Sequence, residues 1–286
     1  MTKTMLVFGH GYTAAALSRR LLATGWKVIG TTRSAGRLAE LKALGVRGVI
    51  WPGSDLTAAL RSSSHILVSL APGAQGDPAL GWLRGRIVGD GGLKWLGYLS
   101  TTAVYGDHAG GWVDETTPVA PTTERGIWRA NAEAAWIEFA ASAGVPLHIF
   151  RLAGIYGPGR GPLAKVRAGT ANRIIKKGQV FNRIHVDDIA EVVVASIADP
   201  NPMRIYNVCD DEAAAPQDVI GLAAELLGLP QPEAVEFAAA DMSDMARSFY
   251  AESKRIRNDR IKTELGVTLR YPSYREGLPA LLAAKM

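Results

Sequence analysis

Three observations predict an α/β chain with a doubly wound parallel sheet. Short β-rich apolar runs alternate with helical patterns through the first half. The first two helical patterns close on glycine, at Gly25 and Gly45. A glycine-rich turn joins the first strand to the first helix, the arrangement that phosphate-binding βα units need.

The elements follow in order. MLVFG (5–9) is a buried strand, and AALSRRLLATG (15–25) spaces its apolar residues three and four apart, as a helix does. WKVIGTTR (26–33) is a strand, AGRLAELKALG (35–45) a helix, and VRGVIW (46–51) and HILVSLAP (65–72) are strands. LKWLGYLST (93–101) is the next strand, followed by a loop over 106–121 and a helix to about Ala143. VPLHIFRLA (145–153) completes this part. Beyond it the pattern loosens. GIYGPGRGP (154–162) is a glycine- and proline-rich loop, and AKVRAGTANRIIKKG (164–178) a helical or irregular insertion. RIHVDDIAEVVVASIADP (183–200) gives a strand edge and a helix, RIYNVCD (204–210) a short strand, and PQDVIGLAAELLGLP (216–230) an amphipathic helix. The expected organisation is a nucleotide-binding lobe of residues 1–153, to which 183–210 returns, and a smaller C-terminal substrate lobe of 154–286.

Composition excludes several classes. With 48% hydrophobic and 21% charged residues among 286, the chain is globular rather than disordered. Its one cysteine, Cys209, excludes an internal disulfide framework and suits a reduced compartment. MTKTMLVFGHG has a run of only four apolar residues before Gly9, too few for a signal-peptide core, and no apolar run is long enough to span a membrane. A soluble cytoplasmic protein is expected. The net charge is 32 − 27 = +5, which suits nucleic acid or a phosphate-bearing ligand equally. The basic stretches RIIKK (173–177) and KRIRNDRIK (254–262) have no interleaved aromatics. They read as solvated faces, so nucleic acid is not an expected partner, and no metal-ligand spacing occurs.

Gly9-His10-Gly11-Tyr12-Thr13-Ala14 fits GxGxxA between a strand and a helix, the Rossmann-like dinucleotide fingerprint. Gly9 permits the tight turn, Gly11 lets a pyrophosphate approach the backbone, and Ala14 lets helix pack on strand. The end of the second strand chooses the cofactor. NAD binders usually carry an acidic residue there, whereas this chain has Thr32-Arg33-Ser34 and no carboxylate before Glu40. Arg33 can pair with a 2′-phosphate, with hydroxyl help from Thr32 and Ser34, and Arg37 is within range of the same group. One charged hydrogen bond contributes about 1.5–3 kcal/mol, roughly a ten- to hundredfold preference. NADP is therefore expected over NAD. Asp55 is expected near adenine, and Ser69-Leu70-Ala71-Pro72 passes its backbone beside the cofactor.

Together with STTAVYG (100–106), DETTP (114–118), RLAGIYGPGR (151–160), IHVDDIAE (184–191), YNVCDD (206–211) and NDRIKTELGVTLRYPSYREGL (258–278), the glycine turn makes nearly the whole chain resemble one family. That family is the extended short-chain dehydrogenases/reductases, in their NAD-dependent epimerase/dehydratase branch. The resemblance implies that Thr101 is the catalytic Ser/Thr, with Thr102 as its neighbour. It also implies that His185, Asp187 and Asp188 cap a helix and join the lobes, and that Arg151, Tyr156 and Arg160 face substrate. It suggests pairing of two copies through helices near 78–90 and 126–142. Two features depart from the family pattern. The glycines are one residue tighter than GxxGxxG, and the catalytic YxxxK is missing. Its places fall on Arg125 and Arg129 within Pro121–Glu133, as in atypical family members.

Arg129 can keep the ribose contact that the family's lysine makes. Arg125 cannot act as acid or base, because guanidinium keeps its proton, though it can stabilise a developing alkoxide. The candidates for a replacement proton donor are Tyr105, Tyr156 and His108. Trp112 and Trp128 read as lid or helix packing, Glu133 and Trp136 as structure. Two readings result: an NADP-dependent oxidoreductase or epimerase-like enzyme acting on a hydroxyl or carbonyl carbon of a sugar-like or other small substrate, or a non-catalytic NADP(H)-binding sensor or scaffold.

Overall fold

The structure, a computed structural model, describes residues 2–87 and 92–284. Seven strands form one parallel sheet: β1 (Thr4–Phe8), β2 (Lys27–Thr32), β3 (Arg47–Ile50), β4 (His65–Val68), β5 (Trp95–Thr101), β6 (Leu147–Leu152) and β7 (Met203–Val208). Their order is β7-β6-β5-β4-β1-β2-β3, with every neighbouring pair parallel. β1, β4 and β6 are buried along their whole length because both sheet faces are covered. From β1 the chain winds outward through β2 and β3, then returns to place β4 on the other side of β1. Ligands in such sheets bind where the winding reverses, outside the C-terminal ends of β1 and β4.

Helices α1 (Tyr12–Ala23), α2 (Arg37–Ala43), α3 (Thr57–Arg61), α4 (Pro78–Leu83) and α5 (Glu124–Ala143) make the connections. α5 starts under an N-cap bond, Gly126 N donating to Thr123 Oγ1 at 3.2 Å, and stops at Gly144 in the left-handed region. Two cores result. One packs α1 and a later helix, Val186–Ala198, against the sheet around Leu17, Trp95 and Phe150. The other packs α4 and α5 on the opposite face around Tyr98, Trp136 and Ile149. The first helix proposed for pairing two copies, near 78–90, is seen as Pro78–Leu83, and residues 88–90 lie outside the described residues.

The insertion after β6 is more ordered than its sequence suggested. Pro162–Arg167 is a short helix, and Arg173–Ile175 pairs in parallel with Ala234–Glu236. Arg183–His185 pairs with Gly154–Tyr156, while Arg255–Ile256 pairs with Trp112–Val113 and draws the tail back to the β5–α5 loop. A third core, with Tyr156, Leu163, Val219, Ala223 and Leu278, joins Pro216–Leu226 to the last helix, Tyr274–Ala283. Among the described residues no helix is long and apolar enough to cross a membrane, and no cluster of His, Cys, Asp and Glu could hold a metal ion.

Candidate functional site

The glycine turn sits at the reversal point. Gly9 has φ +81°, and a Cβ there would stand 2.5 Å from Leu70 Cδ2 and 3.3 Å from the Leu70 nitrogen. Glycine thus lets the exits of β1 and β4 close on one another. Gly9 N donates to Thr31 Oγ1 and His10 N to Thr31 O, both at 2.8 Å, which ties the turn to β2. Gly11 begins α1 with no side-chain cap and no acidic residue in the first turn. A Cβ on Gly11 would meet nothing nearer than Gly9 O at 4.0 Å. Uncapped N–H groups with open space before them suit an anion, and a pyrophosphate fits these residues.

Side chains around the turn divide their tasks. The His10 ring is buried over Gly30, with Nε2 2.9 Å from Ser18 Oγ. Burial lowers its pKa to about 4 and keeps it neutral, so the ring is a packing group rather than a ligand contact. Thr13 is buried, and Tyr12 donates from its hydroxyl to Pro158 O at 3.1 Å. Thr32 is buried at the end of β2 and accepts from Ser34 N at 3.2 Å, while Arg33 and Ser34 are exposed. Arg33 pairs with no carboxylate among the described residues. Arg37 is partly engaged, 3.4 Å from Glu40. The Asp55 carboxylate accepts from the Thr57 hydroxyl at 2.6 Å and from Thr57 N at 2.9 Å, bonds that pull its pKa down. That commits it to the start of α3. Ala71 is exposed and Leu70 half-buried at the β4 exit.

On the other side of the crevice, Thr101 closes β5 and caps the turn Thr102–Tyr105, its Oγ1 accepting from Ala103 N at 3.3 Å. Because the oxygen accepts there, the hydroxyl proton stays available. Thr102 is half-buried beside it. Arg125 is exposed in the first turn of α5, and a Cβ on its neighbour Gly126 would stand 3.1 Å from Ala103 O. The two elements carrying Thr101 and Arg125 are therefore pressed together. Arg129 Nη1 donates to Leu99 O at 2.9 Å, Tyr98 Oη at 3.0 Å and Leu70 O at 3.1 Å, fastening the ends of β4 and β5 to α5.

Four expectations are corrected. Tyr105 is 0% exposed, its hydroxyl donating to Asn207 Oδ1 at 2.7 Å and accepting from Arg151 Nη1 at 3.0 Å. Burial raises its pKa to about 12. The tight turn after Thr101 swings this ring into the core. Tyr156 is 2% exposed beneath the last helix, where a Cβ on Gly277 would stand 2.1 Å from its hydroxyl; burial pushes its pKa far up. Neither tyrosine stands at the crevice to move a proton. Arg151, expected to face substrate, is buried with Nη2 2.7 Å from Glu133 Oε2. Lys254, within a stretch read as a solvated face, is 7% exposed, its Nζ donating to Gly106 O at 2.5 Å and Glu252 Oε2 at 2.7 Å. Glu252 Oε1 accepts from Thr122 Oγ1 at 2.7 Å, so the tail clamps the start of α5. No spacing in the sequence signals that clamp.

The remaining candidates are supporting residues. His108 is half-buried with Nε2 3.1 Å from Tyr105 O. His185 accepts from Asp187 N at 3.2 Å and caps the helix Val186–Ala198. The Asp188 carboxylate accepts from Arg270 N at 2.7 Å and Tyr271 N at 3.1 Å, holding the last segment to that helix. Trp112 is exposed under the Arg257 guanidinium. Trp128 lines, with Gly76, Asp77 and Asn131, a cavity of about 290 Å³ between the β4 exit and α5.

The chain is similar to several known proteins. A functionally unknown conserved protein from Silicibacter pomeroyi DSS has a solved structure that is 56% identical and covers 99% of both chains with a TM-score of 0.93. Protein YeeZ of Escherichia coli (strain K12) is 27% identical over 94% of this chain and 97% of its own length. The UDP-glucuronic acid 4-epimerase of Bacillus cereus, solved in complex with NAD, is 18% identical with a TM-score of 0.75, covering 97% of this chain and 96% of that one. That likeness shows a shared fold. The family model of the NAD-dependent epimerases/dehydratases matches residues 86–209, the part carrying β5 to β7, Thr101, Arg125 and Arg129. That match, laid over the fold the chain shares with such enzymes, marks this stretch as similar to the NAD-dependent epimerases/dehydratases.

Proposed function

We propose that this protein binds NADP(H) in preference to NAD(H) and carries out redox chemistry on a hydroxyl or carbonyl carbon of a sugar-like or other small substrate. The observation that carries the proposal is the uncapped start of α1 facing open space at Gly11, with Arg33 exposed at the end of β2 and without a carboxylate partner among the described residues. Anionic groups are what such a surface lacks.

A bound nicotinamide supplies or accepts hydride. Thr101 donates its free hydroxyl proton in a hydrogen bond to the substrate oxygen. Arg125 adds a fixed positive charge for that oxygen as it becomes an alkoxide. With Tyr105 and Tyr156 buried, water delivers the proton that completes the alcohol. General acid–base catalysis typically contributes 10²–10⁴-fold, so turnover without a side-chain acid is slow. The experiment is NADPH absorbance against a panel of carbonyl compounds and nucleotide sugars. Turnover that falls at least tenfold in Thr101→Ala supports the reading; NADPH binding with no turnover on any member counts against it.

A second reading, a non-catalytic NADP(H) sensor or scaffold, is favoured by the burial of both tyrosines and by arginine in both places of the catalytic pair. It expects tight binding, no turnover and no effect of Thr101→Ala.

A further inference from the structure

The glycine–proline loop after β6 was expected to face substrate, yet it is anchored on the glycine turn. Gly157 and Arg160 close it by exchanging backbone hydrogen bonds of 3.0 Å. Tyr12, the first residue of α1, donates from its hydroxyl to Pro158 O at 3.1 Å. A Cβ on Gly157 would stand 2.6 Å from that hydroxyl oxygen and 2.7 Å from Val186 Cγ1. The missing side chain lets the loop come down on α1. Arg160 rides on the result, its guanidinium carbon 5.4 Å from the centre of the Tyr12 ring. It is exposed and makes no ion pair among the described residues. Asp187, the carboxylate whose charge acts on Tyr12, makes none with it.

A guanidinium held over a ring face makes no hydrogen bond to it and keeps its N–H groups for an oxyanion. Here the guanidinium lies over the ring of Tyr12, the first residue of α1, a helix whose start has no side-chain cap. We propose that Arg160 is a binding residue for the pyrophosphate of the dinucleotide, adding charged donors from the substrate-side loop to the neutral N–H donors of the first turn of α1. The proposal rests on the reading that a dinucleotide binds there. Tyr12 is the seat that aims the arginine, and dinucleotide binding fastens the loop that borders the substrate.

The test is calorimetric titration of the full-length protein and Arg160→Gln with NADPH and with 2′-AMP, which has the 2′-phosphate but no pyrophosphate. The variant is expected to bind NADPH about tenfold more weakly, as for one lost charged hydrogen bond, and 2′-AMP unchanged. NADPH affinity equal to the parent protein overturns the proposal. Equal losses for both ligands also overturn it, since Arg160 would then act through the fold. A parent protein that binds no NADPH removes the dinucleotide reading, and this inference with it.

Discussion

The arginines beneath the crevice and those around its rim are the same residue in opposite circumstances. Arg151, on β6, is buried and fully engaged: Nε lies 3.2 Å from both Glu133 oxygens, Nη2 reaches Oε2, and Nη1 reaches the Tyr105 hydroxyl. Ser100 donates to the same carboxylate, and Tyr105 passes the network on to Asn207. Arg33, Arg125 and Arg160, by contrast, are exposed and have no carboxylate partner among the described residues. Charge buried with its partner fixes the ends of β5, β6 and β7 in place; charge left exposed and without a carboxylate partner is disposed toward a ligand. Arg129 stands between, one nitrogen saturated by three acceptors at the ends of β4 and β5.

Breaking the buried set has the largest expected effect. Glu133→Gln leaves Arg151 charged and uncompensated, at a cost of about 3–5 kcal/mol. Arg125→Gln, at the rim, changes stability by no more than about 0.5 kcal/mol. Urea denaturation of both variants measures this, and similar losses would erase the distinction between floor and rim.

Asp210 sharpens the comparison from the other side, as a buried acid without an ion pair among the described residues. It is 3% exposed, and the opposing pulls on its carboxylate come from the Arg183 guanidinium and from the backbone N–H groups of Glu212 and Arg183. Burial lifts its pKa to about 8, against the opposing pull of Arg183. The folded chain therefore holds this proton to higher pH than the unfolded chain, which releases it near 4. Its contribution to stability is full below about pH 4 and is lost as pH rises through about 8. Asp210→Asn should remove a downward slope of up to about 1.4 kcal/mol per pH unit in that window. Parallel stability profiles for parent and variant would show that Asp210 is ionised and paired.

The sheet was legible because each strand's signal is local. MLVF and HILV are apolar throughout, and the glycine turn follows one of them directly. The glycine turn was legible for the same reason, since Gly9 and Gly11 lie next to the strand that places them. The chemistry end was not. Whether Tyr105 points into the crevice depends on a single tight turn after Thr101, and its partners Arg151 and Asn207 lie far along the chain. Tyr156 is covered by a helix that begins at residue 274. The burial of Lys254 depends on Gly106 and on Glu252, a neighbour whose role shows only once Thr122 is beside it. Long-range pairing leaves no periodicity to read, as Arg173–Ile175 with Ala234–Glu236 also shows.

The most direct measurement is titration of the purified protein and Arg33→Gln with NADPH and NADH. NADPH should bind the parent at least about tenfold more tightly than NADH, and Arg33→Gln should abolish that preference while leaving NADH affinity unchanged. Equal affinity of the parent for the two nucleotides, or no affinity for either, would contradict the account.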